Sequence, residues 1–485
     1  MRLGAVVLAA ALSCGVVLAA CRPVDPTQQP GAALSRAWRA PVDGIVQARP
    51  LVVSGTTAGD VVVVATESDN LYGFNATTGA KLWGPVNIGT AEPLADVHSL
   101  DPSHLSACGD LDPLGITSNP VYDPSSGTVY AVGEVEGATD PTHYHAHIPE
   151  FVLVGVNPAT GADTGTGPHA GLAPIPIVTT SMPEGMTTTN PANEIEAEQQ
   201  RAGLAAFHGV VYVGFGGLAG DCGPYHGWLI SASEANGHLV GTFETATKPA
   251  TNRAAAVWGT LGPVVDTAGN VYTSTGSSKG PYPTSGTDYS MAVVQVPPGF
   301  VTAATNYFQT PTWESDDQND ADLGSAGPVL VAGDTQIFAL GKQHTAFLLD
   351  TSDLGGDATH ETPIASLRNV CPGDSDGASV ASGNTVFVGC RNGPREVIVQ
   401  GSGASSTLQM GWTATVNANA PVGYGNNLVW SIDTTNSTLY GLSPSTGKVI
   451  DRATLSLNSQ QHFPTPAFGD GDVFVGADSS IVALH

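Results

Sequence analysis

Asp69 to Trp83 reads DNLYGFNATTGAKLW: an apolar strand, a turn at Asn75-Ala-Thr-Thr-Gly79, and a second strand carrying a tryptophan. An Asn able to bond its own backbone and a Gly free to take positive φ are what a tight hairpin requires. The pattern returns in FVLVGVNPATGADTG, with its turn from Asn157 to Gly161, and in STLYGLSPSTGKVI, with its turn from Ser443 to Gly447. Looser copies are WLISASEANGHLV, whose turn ends at Gly237, and AFLLDTSDLGG, where Asp350 opens the turn. The hairpin is therefore a repeating unit of the chain.

A second signature precedes it at a steady interval, as in GDVVVVATES from Gly59, GTVYAVGEV from Gly127 and GDVFVGADSS from Gly471, and it occurs eight times. Before most copies a third strand is opened by proline, at Pro50, Pro120, Pro263, Pro328, Pro421 and Pro466. One repeat is four strands, A to D, over about 45 residues, a period that belongs to β-propellers. The ends of the chain support this. SSIVALH at the C-terminus stops at strand C, whereas AWRAPVDG near the N-terminus matches GWTATVNA, a strand D. The expectation is an all-β, eight-bladed β-propeller of four-stranded antiparallel blades, closed by an N-terminal strand that completes the last blade.

Composition narrows the function. Lys plus Arg number 16 against 43 Asp plus Glu, a balance that repels nucleic acid phosphates and anionic lipid headgroups, so no nucleic-acid partner is expected and the membrane is met through the lipid anchor only. Met1-Arg2, an apolar run and Leu18-Ala-Ala-Cys21 read as an export signal over residues 1–20 with a lipobox, too short for an ordinary membrane span. Cys21 is the expected lipidation site, plain secretory cleavage after Ala20 being the other reading. Residues 21–33 form a Pro- and Gln-rich tether, and residues 34–485 the propeller. The expected location is extracytoplasmic, lipid-anchored to the bacterial envelope.

The repeat resembles that of the pyrroloquinoline-quinone (PQQ) propellers, the quinoprotein superfamily, which includes dehydrogenases and non-enzymatic lipoproteins of the outer membrane assembly type. AAAVWGTLGPVVDTAGNVYTSTGS resembles the segment carrying the quinone-stacking tryptophan, here Trp258. By the same resemblance GTDYSMAVVQV places Asp288 as the catalytic base and GKQHTAFLLD places Lys342 against the quinone; Asp322 is taken as a further cofactor-binding residue. The set implies an aromatic floor, a carboxylate to accept an alcohol proton and a cation for the quinone oxygen. The calcium ligands expected with PQQ are altered: Thr275-Gly276-Ser277-Ser278 lacks the family asparagine, and GGLAGDCGPYHGW offers only Asp221 in place of a glutamate. There is no adjacent cysteine pair and no CxxCH for a haem. The first expectation is thus a binding or scaffold protein engaging an envelope protein, a small molecule or a glycan at its funnel. The alternative is a PQQ-dependent alcohol or sugar dehydrogenase.

In a propeller, residues just before strand A or after strand B converge on one mouth. This gathers Gln47 and Arg49; Asp112, Thr117 and Asn119; Gln199, Gln200 and Arg201; Trp258 and Thr260; Asp320, Asp322 and Ser325; Asp374 and Asp376; Asn417 and Asn419; and His462. Four exported cysteines remain, and their places on that face pair Cys371 with Cys390 and Cys108 with Cys222. The period-two His143, His145 and His147 either hold a metal or form a solvated loop. Tyr225 and His226 touch a ligand or cover a disulfide. WESDDQNDAD binds a cation or is a solvated acidic run. The long segment 174–200 is a lid, a partner-binding arm or disorder.

Overall fold

The structure is a computed structural model and describes residues 32–97, 109–139, 147–164, 175–176, 195–220, 225–237, 239–246, 255–278, 289–299, 304 and 306–485. Cys21, Cys108, Cys222, Asp221, Asp288, His143 and His145 lie outside the described residues. Eight antiparallel sheets form the blades of an eight-bladed propeller. Blade one is typical, with strands Leu51–Thr56, Gly59–Ala65, Asn70–Asn75 and Lys81–Asn87. Each expected proline stands just ahead of an inner strand, where its missing N–H costs no ladder bond.

The central strands read as apolar runs because both faces of a blade are covered by its neighbours. Val61, Val62, Val63 and Val64 are all fully buried, alternately facing the previous and the next blade. The cores therefore lie between blades.

The repeated turn supplies the lock between them. Trp83, at the outer edge of blade one, donates from Nε1 to the Pro158 carbonyl at 2.8 Å, inside the turn of blade two. Its ring lies on Gly161, whose φ is +66°, and a Cβ there would stand 2.5 Å from the indole. Trp38 meets Ala76 and Gly79 in the same way, and Trp412 meets Pro444 and Gly447. Glycine is thus required twice over in the opening stretch, for positive φ and for the indole that rests on it.

The ring closes as the sequence implies. Arg36–Pro41 pairs antiparallel with Ser480–Leu484, with Trp38 opposite Ala483 and Arg39 opposite Val482. Ala32–Ala33, which the sequence reading leaves in the tether, adds a short parallel strand to the edge of blade seven, opposite Asp451 and Arg452. Two outer strands come later than the hairpin pattern predicts. In blade two it is Ile175–Pro176, after only a single bridge at Asp163, and in blade five it is Ala365–Leu367. Segment 174–200 is accordingly not all insertion: its first residues complete blade two and Glu198–Gln199 extends blade three against Gly217 and Gly216. Among the described residues no helix is long and apolar enough to cross a membrane.

Candidate ligand-binding funnel

A cavity of about 520 Å³ opens at one end of the channel. Gln47, Thr117, Asn119, Gln199, Arg201, Trp258, Thr260, Asp320, Ser325, Asp376 and His462 line it, as the topology implies, together with Lys342, which only the family resemblance singles out. Arg391 and Phe463, together with Leu94, Leu111, Leu114 and Leu218, also line it and were not expected. Leu94, which opens the short helix Leu94–Val97, and Leu111 and Leu114 come from the connection between blades one and two, and Leu218 directly follows strand Val210–Gly217. Asn419 lies in an adjoining cavity of about 400 Å³ shared with Asp376 and His462.

Several expected residues serve the walls instead. Asp322 is fully buried, accepting from Ser277 N at 2.7 Å and from Lys342 Nζ at 2.7 Å. Gln200 turns inward onto the carbonyls of Ala202 and Gly214, Asp112 accepts from Leu94 N, and Asp374 pairs with Arg391 at 3.0 Å. Arg49 stands outside the lining; burial holds its guanidinium below the usual range. No lining role falls to Asn417.

Charge in the funnel is largely paired. Burial would lower the Lys342 pKa, but Asp322 and then Asp320, at 3.4 Å, raise it above its ordinary value. Arg391 spans Asp374 and Asp376, the latter at 2.6 Å. Arg201 has no carboxylate in direct contact among the described residues: it donates to the Trp258 carbonyl at 3.3 and 3.4 Å and lies over the Phe463 ring at 4.4 Å. Burial pushes its pKa down to about 10, against the opposing fields of Asp376 and Asp322. A strap from the last blade crosses the mouth: His462 Nε2 lies 2.6 Å from Asp110 Oδ1, and Gln460 bonds both the Asp110 carbonyl and Gln47.

Trp258 is only 5 % exposed. Its indole edges press on Gly216 and Gly276, where a Cβ would stand 2.5 and 2.8 Å away, and Tyr225 tilts against it at 6.0 Å. The Thr275 to Ser278 turn offers donors where a calcium ion needs acceptors: Ser277 N points at Asp322 and Ser278 N at Asp317. With Lys342 holding the other oxygen of Asp322, these residues do not fit PQQ and calcium. Among the described residues no three His, Cys, Asp or Glu are placed to hold a metal ion.

The disulfide Cys371–Cys390 is present, with Cα atoms 5.6 Å apart. The pairing of Cys108 with Cys222 falls outside the described residues; next to them, Gly109 approaches Ala219. His147 lies 4.0 Å from Glu136. WESDDQNDAD supplies a short helix, Trp313–Gln318, whose Asp317 is buried and accepts from Ser290 Oγ. His226 is buried between Glu244, 2.7 Å from Nδ1, and Glu198, which accepts its backbone N–H at 2.6 Å. Burial drives the Glu198 pKa well up.

A second set of buried carboxyls escaped the sequence reading. Glu67, Asp69 and Glu92 are fully buried and Glu134 is 3 % exposed, at the seam of blades one and two. Glu67 accepts from Gly115 N and Thr117 Oγ1, and burial pushes its pKa up to about 8. Burial, then the neighbouring carboxyls, drives Asp69 and Glu134 well up too.

No family model matches the chain, and no curated protein matches it in sequence. Solved structures do. A quinohemoprotein alcohol dehydrogenase from Comamonas testosteroni aligns at a TM-score of 0.57 and 14 % identity, over 93 % of this chain and 76 % of its own. A europium-containing methanol dehydrogenase gives 0.56 and 13 %, over 91 % and 84 %. BamB from Moraxella catarrhalis gives 0.54 and 12 %, over 93 % and 100 %. The fold is the PQQ-like propeller. At these identities the likeness is one of fold, shared by enzymes and by BamB alike, so function rests on the funnel.

Proposed function

We propose that this propeller is an exported, lipid-anchored binding protein that receives a small polar ligand or a partner's side chains in its funnel, without catalysis of its own. The observation that carries the reading is that the charged groups of the quinone-like corner are already paired: Lys342 is held by Asp322 and Asp320, and the other oxygen of Asp322 accepts from Ser277 N. What remains open is a cavity of mixed amide, hydroxyl, carboxylate and guanidinium groups beside Phe463. Such a lining suits hydrogen bonding to a polar ligand such as a glycan.

The test is titration of the purified protein with PQQ and calcium, followed by cofactor absorbance and dye reduction with an alcohol panel, beside a glycan panel read by tryptophan fluorescence. The expected result is no saturable quinone binding and a glycan- or partner-dependent change that Arg201→Ala abolishes. Saturable quinone binding lost in Trp258→Ala and accompanied by dye reduction would replace this reading with the dehydrogenase one.

A further inference from the structure

Two groups among the cations of this acidic chain behave differently. Those of the funnel that touch a carboxylate, Lys342 and Arg391, are held in ion pairs. A second group, Arg36, Arg39, Lys81, Lys448 and Arg452, lies exposed on the fourth strands of blades eight, one and seven or at their starts. None of these five meets a carboxylate among the described residues, and none has a further unprinted partner. The three strands carry no exposed acid, since Asp451 is buried. With 43 acidic side chains against 16 basic ones, three neighbouring strands of unpaired positive charge depart from the rest of the surface.

Within this rim, Arg36, Arg39, Ser479 and Ser480 line an open depression of about 490 Å³. The two arginines reach the same side because the register shifts between Arg36 and Trp38, a bulge that reverses the alternation of the strand. Trp38 is thereby turned inward onto Phe474 while both guanidinium groups turn out. Ser480 Oγ accepts from Arg39 Nε at 2.9 Å, holding that guanidinium over the depression. Two guanidinium groups side by side are suited to a phosphate oxyanion.

The chain enters the ring at this place. Ala32–Ala33 runs along Asp451 and Arg452 of blade seven before Arg36–Pro41 closes blade eight. Only ten residues separate Cys21 from Ala32, a span of at most about 40 Å when extended. Any lipid on Cys21 therefore holds this sector, rather than the opposite one, within reach of the bilayer.

We propose that the rim of blades seven, eight and one rests on the anionic phosphate headgroups of the membrane, with the Arg36–Arg39 depression seating a headgroup phosphate. The choice of sector rests on the lipid anchoring given above as part of the proposed function; the charge and the depression do not. A single acyl anchor binds reversibly and gains from a basic patch beside it. Contact through the rim leaves the channel axis roughly parallel to the bilayer, with the funnel mouth open to one side.

The experiment uses the unacylated chain from Arg22 onward, which contains every strand of the closed ring, floated with phosphatidylcholine vesicles with and without phosphatidylglycerol. Binding is expected only with phosphatidylglycerol, weakening with salt. Arg36→Ser with Arg39→Ser should reduce partitioning about 25-fold, at about fivefold per cation. Arg368→Ser, an exposed cation outside the three strands, should leave it unchanged. No flotation at low salt, an equal loss in Arg368→Ser, or complete competition by millimolar inorganic phosphate would overturn the proposal. Mass analysis of the native protein for an acylated Cys21 tests the anchor separately, so the failure of one is not read as the failure of the other.

Discussion

Glu67→Gln isolates the energetic consequence of the buried carboxyls. In the folded chain Glu67 holds its proton up to about pH 8, against an ordinary value of 4.5, because burial disfavours the charged form. Between those two values the folded protein binds a proton that the unfolded chain has released, so stability falls as pH rises and levels off above the folded pKa. At 1.36 kcal/mol per unit, the penalty at pH 7 is about 3 kcal/mol from this residue alone. Glutamine keeps an acceptor for Gly115 N and Thr117 Oγ1 and has no proton to lose. The variant should therefore match the wild type at pH 5 and exceed it by about 3 kcal/mol at pH 7. For a chain of 485 residues that is about 3 °C in the thermal midpoint, read by scanning calorimetry. Asp69 and Glu134 are raised for the same reason, so the wild-type midpoint should decline more steeply than Glu67 alone dictates. A wild-type midpoint flat from pH 5 to pH 8, or a variant destabilised equally at both, would refute the reasoning.

Two further outcomes follow from the packing. Trp83→Ala should cost about 3 to 5 kcal/mol and raise amide exchange at the blade-two turn, since it removes a buried indole and the donor to Pro158; an exchange pattern unchanged around Gly161 would count against the inter-blade lock. Lys342→Met should destabilise by about 3 to 5 kcal/mol by leaving Asp322 charged and buried; adding Asp322→Asn should recover part of that loss in the same melting assay, and no recovery would mean the ion pair is not the cause.

How much could be read beforehand differs between backbone and side chains. The turn from Asn75 to Gly79 marks a hairpin wherever its pattern recurs, because φ > 0 at the glycine is a local demand. The late outer strands of blades two and five escaped for the converse reason: an edge strand pairs on one side only, so Ile175–Pro176 needs little sequence of its own. Gln47, Arg201 and Asp376 were legible as mouth residues because topology places them there. Whether Lys342 met a ligand or Asp322 was not, since the two lie twenty residues apart and are joined only by the fold. Gln200 shows the same limit: next to Gln199, which faces the cavity, it turns into the wall.

From the amino-acid order alone came the repeat, the number of blades and the complementary ends, because each depends on turn chemistry and period along a continuous stretch. The folded ring alone determined which charges are neutralised, that Trp258 is covered, that Glu67, Asp69, Glu92 and Glu134 share one seam, and that Arg36 and Arg39 turn outward together. Burial and Coulomb pairing act through space between residues from different blades, and their separation in the chain carries no record of that proximity.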